Sequence, residues 1–231
     1  EMSFSIWVKR ADTANSSAFW IQSPSSSDGQ RGWQAHTPWS NNSVYFDTAG
    51  CCDGATQRIS AAIDTFPAYT GDISWWTDNW HHFVFTKKDA VKQIWIDGQL
   101  FLEGENTSPL PTDITEMYFG SDTTGGNLMR GLMDDYALFA TALSEADIGA
   151  LFGGTPPTEL DAGTNIMAYW GFNAGVPIEP TIGIAKDGAN VTVSWDMGVL
   201  QTAPTAVGPW TDSAGTSPLT EPAADAAKFY R

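Results

Sequence analysis

The chain has 231 residues, 42% hydrophobic and only 16% charged, enough apolar material for a core and not the composition of a disordered chain. Its 27 acidic residues against 11 basic ones give a formal net charge of −16, which repels phosphate backbones and anionic bilayers and so excludes nucleic acid as an expected partner. No apolar run approaches the ~18 residues of a membrane span, so no membrane insertion is expected.

Acidic loops suit hard divalent cations, calcium first. Low lysine content, many Ser, Thr, Asn and Gly residues and 11 Trp read as a secreted, extracellular or cell-surface protein. Glu1 opens directly on strand-like sequence, without a charged leader or apolar h-region, as expected of a mature product, an excised segment or part of a longer chain.

In chain order, residues 2–9 alternate, with Met2, Phe4, Ile6 and Val8 on one face and Trp7 on the other. Residues 18–22 and 33–39 read as further strands. Ser40-Asn41-Asn42-Ser43 turns the chain into VYFDT, so 33–48 is a hairpin. Residues 49–57 form a loop, RISAAI a strand, and FPAYTGDISWWTDN an irregular aromatic connection. The most specific stretch is 79–103. Phe83 and Phe85 alternate on one arm, a polar turn surrounds Lys88-Asp89, and Ile94 and Ile96 lie opposite Gln93, Trp95 and Asp97 on the return. Asp97-Gly98 then supplies a second tight turn, since both residue types accept positive φ.

Strands follow at 117–121, 132–140 and 167–173. Between the last two, Ser144 as N-cap with Asp147 at the third helical position starts one short helix, which Gly153-Gly154 ends. Many short strands and a single helix argue for an all-β fold, an antiparallel two-sheet jelly-roll sandwich. The domain division is 1–175 for the sandwich, 176–180 for a stiff proline-rich linker, and 181–231 for a small β module with a second alternating pattern.

The two cysteines, Cys51 and Cys52, are adjacent. Neighbouring Cα atoms lie ~3.8 Å apart, closer than the roughly 4.4–6.8 Å usual for a bridge. A vicinal disulfide, two buried thiols and an intermolecular bridge all stay open; the secreted composition favours the first.

NWHHFVFTKKDAVKQIWIDGQLF, then MYFGSD, then GLMDDYALFATALSEADIGALF resembles the laminin-G-like branch of the concanavalin A-like lectin/glucanase superfamily over residues 2–155. HTPWSNNSVYFDTAGCCDGATQRIS resembles a bacterial subgroup of it. The tail, from GANVTVSW to AAKFYR, is similar to small fibronectin-III/Ig-like modules of secreted proteins. Members of the family usually carry a strand before the FSIWVK-like one, which this sequence lacks; an open sheet edge is a template for strand addition.

The resemblance implies recognition of a glycan or protein ligand, often with calcium at the sandwich rim. Candidate calcium ligands are Asp47, Asp53 and Asp122, with Asp28 and Asp78 in reserve, although turn formation is the commoner use of Asp. The stronger signal is aromatic. Indoles stack on the apolar faces of sugar rings while their N–H groups bond hydroxyls, which makes Trp7, Trp33, Trp39, Trp75, Trp76 and Trp95 candidate ligand-binding residues; cover by a second layer is the alternative for Trp7 and Trp95. Arg58 offers bidentate bonds to a uronate or sulfate, or else pairs with Asp47 or Asp53.

No catalytic residue is assigned. His81 and His82 point to opposite faces of one strand, and Glu103 and Glu105 share a face beside Gly104 with nothing to raise a pKa. The function expected is therefore a non-catalytic, extracellular module binding polysaccharide or glycoconjugate. The alternative is a filament or surface-layer subunit that pairs with copies of itself through an open edge.

Overall fold

The computed structural model describes residues 1–123, 125–161, 164–172, 182–195, 199–223 and 228–231. The chain divides into two compact units, Glu1–Asn173 and Ala174–Arg231. The proline-rich stretch expected as a linker, 176–180, lies outside the described residues.

Unit 1 is an all-β antiparallel sandwich. Its first sheet has six strands in the order β11-β10-β1-β6-β7-β8, comprising β1 Met2–Arg10, β6 His81–Lys88, β7 Val91–Ile96, β8 Gln99–Glu105, β10 Gly131–Phe139 and β11 Ile166–Trp170. The second has five in the order β5-β4-β3-β2-β9, from β2 Phe19–Gln22, β3 Arg31–His36, β4 Ser43–Thr48, β5 Arg58–Ala62 and β9 Glu116–Phe119. β1 pairs with β10 on one side and β6 on the other. The first strand thus has a neighbour on each side, and the sheet's edges are β11 and β8.

Period-two alternation explains the core. Phe4, Ile6, Val8, Phe83, Phe85, Ile94 and Ile96 of the first sheet meet Phe19, Ile21, Trp33, Ala35, Val44, Phe46 and Ile59 of the second. Each large ring buried this way contributes roughly 1.5–3 kcal/mol. The turn after β7 is the one the sequence implies, with Asp97 at φ 49° and Gly98 at φ 74°. β3 ends earlier than the expected 33–39 strand, because Pro38 has no N–H for the ladder.

The outer face of the first sheet has its own cover. Helix Glu145–Phe152 starts at a capping box between Ser144 and Asp147. It lays Ile148 and Leu151 over Val84, Trp95, Ala137 and Phe139. A second short helix, Ser74–Asp78, stands where an irregular connection was expected, and it turns both Trp75 and Trp76 inward. Lys92 points into the core from β7 and bonds the carbonyls of Phe46 at 2.7 Å and Gln57 at 2.9 Å. Burial pushes its ammonium down to about 6. This lysine ties the first sheet to the loop that leads into β5.

Unit 2 holds two three-stranded antiparallel sheets. They are β12-β13-β16 (Ile182–Asp187, Asn190–Trp195, Leu219–Pro222) and β15-β14-β17 (Thr211–Asp212, Gln201–Ala203, Phe229–Tyr230). Among the described residues, no helix is long and apolar enough to cross a membrane.

Candidate functional site

The outer face of the second sheet carries a cleft of about 480 Å³, a volume typical of ligand pockets. Residues that alternate with the core positions line it. Trp20 lies between Phe19 and Ile21, Gln34 and His36 flank Ala35, Tyr45 precedes Phe46, and Arg58 precedes Ile59. One wall is the 49–57 loop, held to the turn at Ser27–Gln30 by Cys51 N–H donating to Asp28 Oδ2 at 3.0 Å and Gln57 Nε2 donating to Ser27 Oγ at 3.2 Å. Gly50, at φ 122°, is needed there, since a Cβ would run into Ser27 and Gln57. Opposite it, Asp122 accepts from Gly126 N–H at 2.8 Å and Asn127 Nδ2 at 2.9 Å.

The floor is charged. Arg58 forks onto Asp47, with Nε–Oδ1 and Nη2–Oδ2 both 2.6 Å, while Arg31 Nη1 reaches the same carboxylate at 3.2 Å. Arg31 lies over the Trp20 ring at 4.9 Å and Arg58 over Tyr45 at 4.5 Å. Arg58 Nη2 also meets Cys51 Sγ at 3.1 Å. Cys51 and Cys52 are joined in a disulfide, and both line the rim.

Several polar atoms here lack protein partners. Trp20 Nε1, Arg31 Nε and Gln34 Oε1 are buried and unbonded; Gln34 spends its Nε2 on Ser17 Oγ at 2.5 Å. His36 donates Nδ1–H to the Ser16 carbonyl at 2.6 Å. Because that oxygen only accepts, the neutral ring is left with Nε2 as an acceptor. Burial holds this imidazole down at about 4, so it is neutral at physiological pH. Trp39, half-buried, packs against His36 with ring centroids 4.5 Å apart. The cleft thus combines aromatic rings with unpaired donors and acceptors.

A laminin-G-type family model, described as the concanavalin A-like lectin/glucanases superfamily, matches residues 1–149. The chain belongs to this superfamily. No curated protein matches the chain in sequence. Among solved structures, a heptameric SAP-like pentraxin from Limulus polyphemus is similar at 11% identity over 74% of this chain and 78% of that chain, with a TM-score of 0.51. Domain 4 of an extracellular arabinanase from Geobacillus stearothermophilus, solved with arabinotriose, matches at 21% identity over 65% of this chain and 66% of that one, TM-score 0.41. The binding domain of botulinum neurotoxin DC, solved with rat synaptotagmin II, matches at 16% identity over 85% and 46%, TM-score 0.46. The chain thus spans about half that toxin domain's length. At 11% identity the likeness to the pentraxin shows the fold alone.

Of the ligand-binding residues expected from sequence, the superfamily fold brings Trp39 and Arg58 to the cleft. Four of the other tryptophans need correction. Trp33, Trp75 and Trp76 lie in the main core. They face inward because β3 alternates Trp33 with Gln34 and because Ser74–Asp78 is helical. Trp95 is sealed beneath the helix Glu145–Phe152. Trp7 stacks on Phe152 of that helix at 5.9 Å and lines a separate 220 Å³ hollow with Ser5 and His82.

The calcium candidates Asp47, Asp53 and Asp122 are each engaged elsewhere. Asp47 is fully buried against two arginines. Asp53 accepts from Ala55 N–H, Thr56 N–H and Thr56 Oγ1 in its own turn, and these bonds lower its pKa. Among the described residues, no group of three or more His, Cys, Asp or Glu side chains is placed to hold a metal ion, so the three do not fit a shared calcium site. Trp20, Arg31, Gln34, His36, Asn41, Tyr45 and Asn127 were not singled out from sequence. The signal for the strand residues among them is their alternation with core positions on β2, β3 and β4.

Proposed function

We propose that unit 1 is a non-catalytic module that binds carbohydrate, as polysaccharide or glycoconjugate, in the cleft over β2–β5. The observation that carries this is convergence. The rings of Trp20, Trp39 and Tyr45 share one cleft with the unbonded atoms Trp20 Nε1, Arg31 Nε and Gln34 Oε1 and with the acceptor nitrogen His36 Nε2. The half-buried rings of Trp39 and Tyr45 supply stacking surface, the unbonded nitrogens donate, and the bare acceptors take sugar hydroxyls.

Catalysis has no support at this site. A glycosidase needs a carboxylate pair free to act as acid and nucleophile or base. Here Asp47 is locked to Arg58, and Asp122 is held by Gly126 and Asn127. We read the protein as extracellular, on its composition and on the Cys51–Cys52 disulfide, a bond that persists in oxidising compartments. Calcium has no role in this reading, because the cleft's floor carboxylate is already neutralised by arginine. Unit 2 serves as a spacer of fibronectin-III/Ig-like kind, with two small sheets suited to that use.

The test is a glycan array probed with the wild-type chain and with Trp39→Ala. Binding to a defined glycan subset that Trp39→Ala abolishes supports the proposal. A flat array, or equal binding by the variant, overturns it.

A further inference from the structure

We infer that the cleft selects saccharides bearing an isolated oxyanion, a carboxylate or a sulfate ester, and that Arg31 is the residue that reads it. This rests on the carbohydrate-binding reading above. The floor holds two guanidinium groups and a single buried carboxylate. Arg58 occupies both oxygens of Asp47 at 2.6 Å, leaving Arg31 a longer, one-nitrogen contact at 3.2 Å. The remaining carboxylate lining the cleft, Asp122, is bonded to Gly126 N–H and Asn127 Nδ2. Asp28, beside the rim, accepts from Cys51 N–H and Ser27 Oγ. Arg31 thus keeps donor capacity that the floor does not use, and the ionised Asp28 carboxylate lies within its electrostatic reach.

Its geometry is fixed for recognition. The Trp20 ring supports the guanidinium at 4.9 Å, and Arg31 Nε and Trp20 Nε1 are both buried donors without partners. A planar oxyanion accepts from such a fork with more strength than a neutral hydroxyl does. Gln34 Oε1 and His36 Nε2 are acceptors instead, suited to the hydroxyls of the same sugar. The chain's charge of −16 disfavours densely charged polymers. Beyond about 8 Å that repulsion is screened at physiological salt, so a single acidic group can still be read locally.

The test is calorimetric titration of the whole chain with three ligand sets: uronate-containing oligosaccharides, the same oligosaccharides with their carboxyl groups reduced to alcohols, and sulfated oligosaccharides of matching backbone. Wild type, Arg31→Gln and Arg31→Lys are compared. The inference expects a uronate or sulfated set to bind at least about tenfold tighter than the reduced set. Arg31→Gln weakens binding of the acidic set far more than binding of the reduced set, so that the advantage disappears. Arg31→Lys, which keeps the charge and loses the fork, falls between them and stands in should Arg31→Gln fail to fold. Preference for one acidic set over the other identifies the oxyanion. Equal binding of acidic and reduced sets overturns the inference while leaving the cleft reading intact. Absence of binding to every set overturns both.

Discussion

Arg58 and Asp47 meet as a two-pronged ion pair, both contacts 2.6 Å, on a carboxylate with no solvent exposure. From sequence the arginine was in view as an anion binder or as a partner of Asp47 or Asp53, and the aspartate as a calcium ligand. The structure gives them to each other. Breaking a buried pair leaves an uncompensated charge and costs about 3–5 kcal/mol. Arg58 keeps some solvent access, 19% of its side chain, so the lower end applies. Asp47→Ala should therefore lose about 3 kcal/mol of stability in urea unfolding monitored by tryptophan fluorescence. A loss below about 0.5 kcal/mol, the range of neutral surface changes, would show the pair to be incidental.

The tryptophans separate into those that hold the fold and those that line the cleft, Trp20 and Trp39. Trp76 is 1% exposed and stacks parallel to Phe83, so Trp76→Ala should cost about 3–5 kcal/mol. Trp39→Ala, at a half-buried rim position, should change stability by less than about 1 kcal/mol while weakening glycan binding. Thermal melts of the two variants check the contrast, and the reverse order of effects would count against the placement of the cleft.

Acid should unfold the sandwich through its histidines before its carboxylates. Burial holds His36 and His82 down at about 4, while an unfolded chain's histidines titrate near 6.5. Between those values the unfolded chain takes up protons that the folded chain does not. Their stabilisation is thus complete above about pH 6.5 and is lost as pH falls through 4. Full loss amounts to roughly 2–4 kcal/mol for each histidine. Carboxylates with lowered pKa, such as Asp28, Asp53 and Asp113, act below this window. Urea midpoints at pH 7 and pH 4.5 should differ clearly, and less so in His82→Gln; identical midpoints would contradict the burial argument.

Chelation offers a further check. With Asp47 neutralised by two arginines and Asp53 occupied by its own turn, excess EDTA should leave both melting temperature and glycan binding unchanged. A fall in either, restored by added calcium, would mean that a cation site lies elsewhere in the protein.

The strand pattern was legible because each inner face repeats at period two. Phe83, Phe85, Ile94 and Ile96 needed no tertiary knowledge to be assigned inward, and Ser144 with Asp147 marked the helix start as directly. The site was harder to read, for a physical reason. Alternation says which face a residue takes and not what lies over that face. Trp7 and Trp95 do point away from the main core, yet the helix Glu145–Phe152 covers that sheet, and its own apolar residues sit in contact with them. On the other sheet the outward face is roofed only in part, by the 49–57 loop and by Asp122 and Asn127, which wall a cleft, and there Trp20, Gln34, His36 and Tyr45 mattered although none stood out by residue type alone. Trp75 and Trp76 misled because a five-residue helix leaves too short a periodic signal to detect.

The central claim is that ligand enters over β2–β5, and the indole N–H resonances of the protein test it most directly. Titrating an isotopically labelled sample with an array-selected oligosaccharide should shift the Trp20 and Trp39 Nε1–H signals and leave those of Trp33, Trp75, Trp76 and Trp95 in place. Shifts confined to Trp7, on the opposite sheet, would move the site to the other side of the sandwich and contradict the claim.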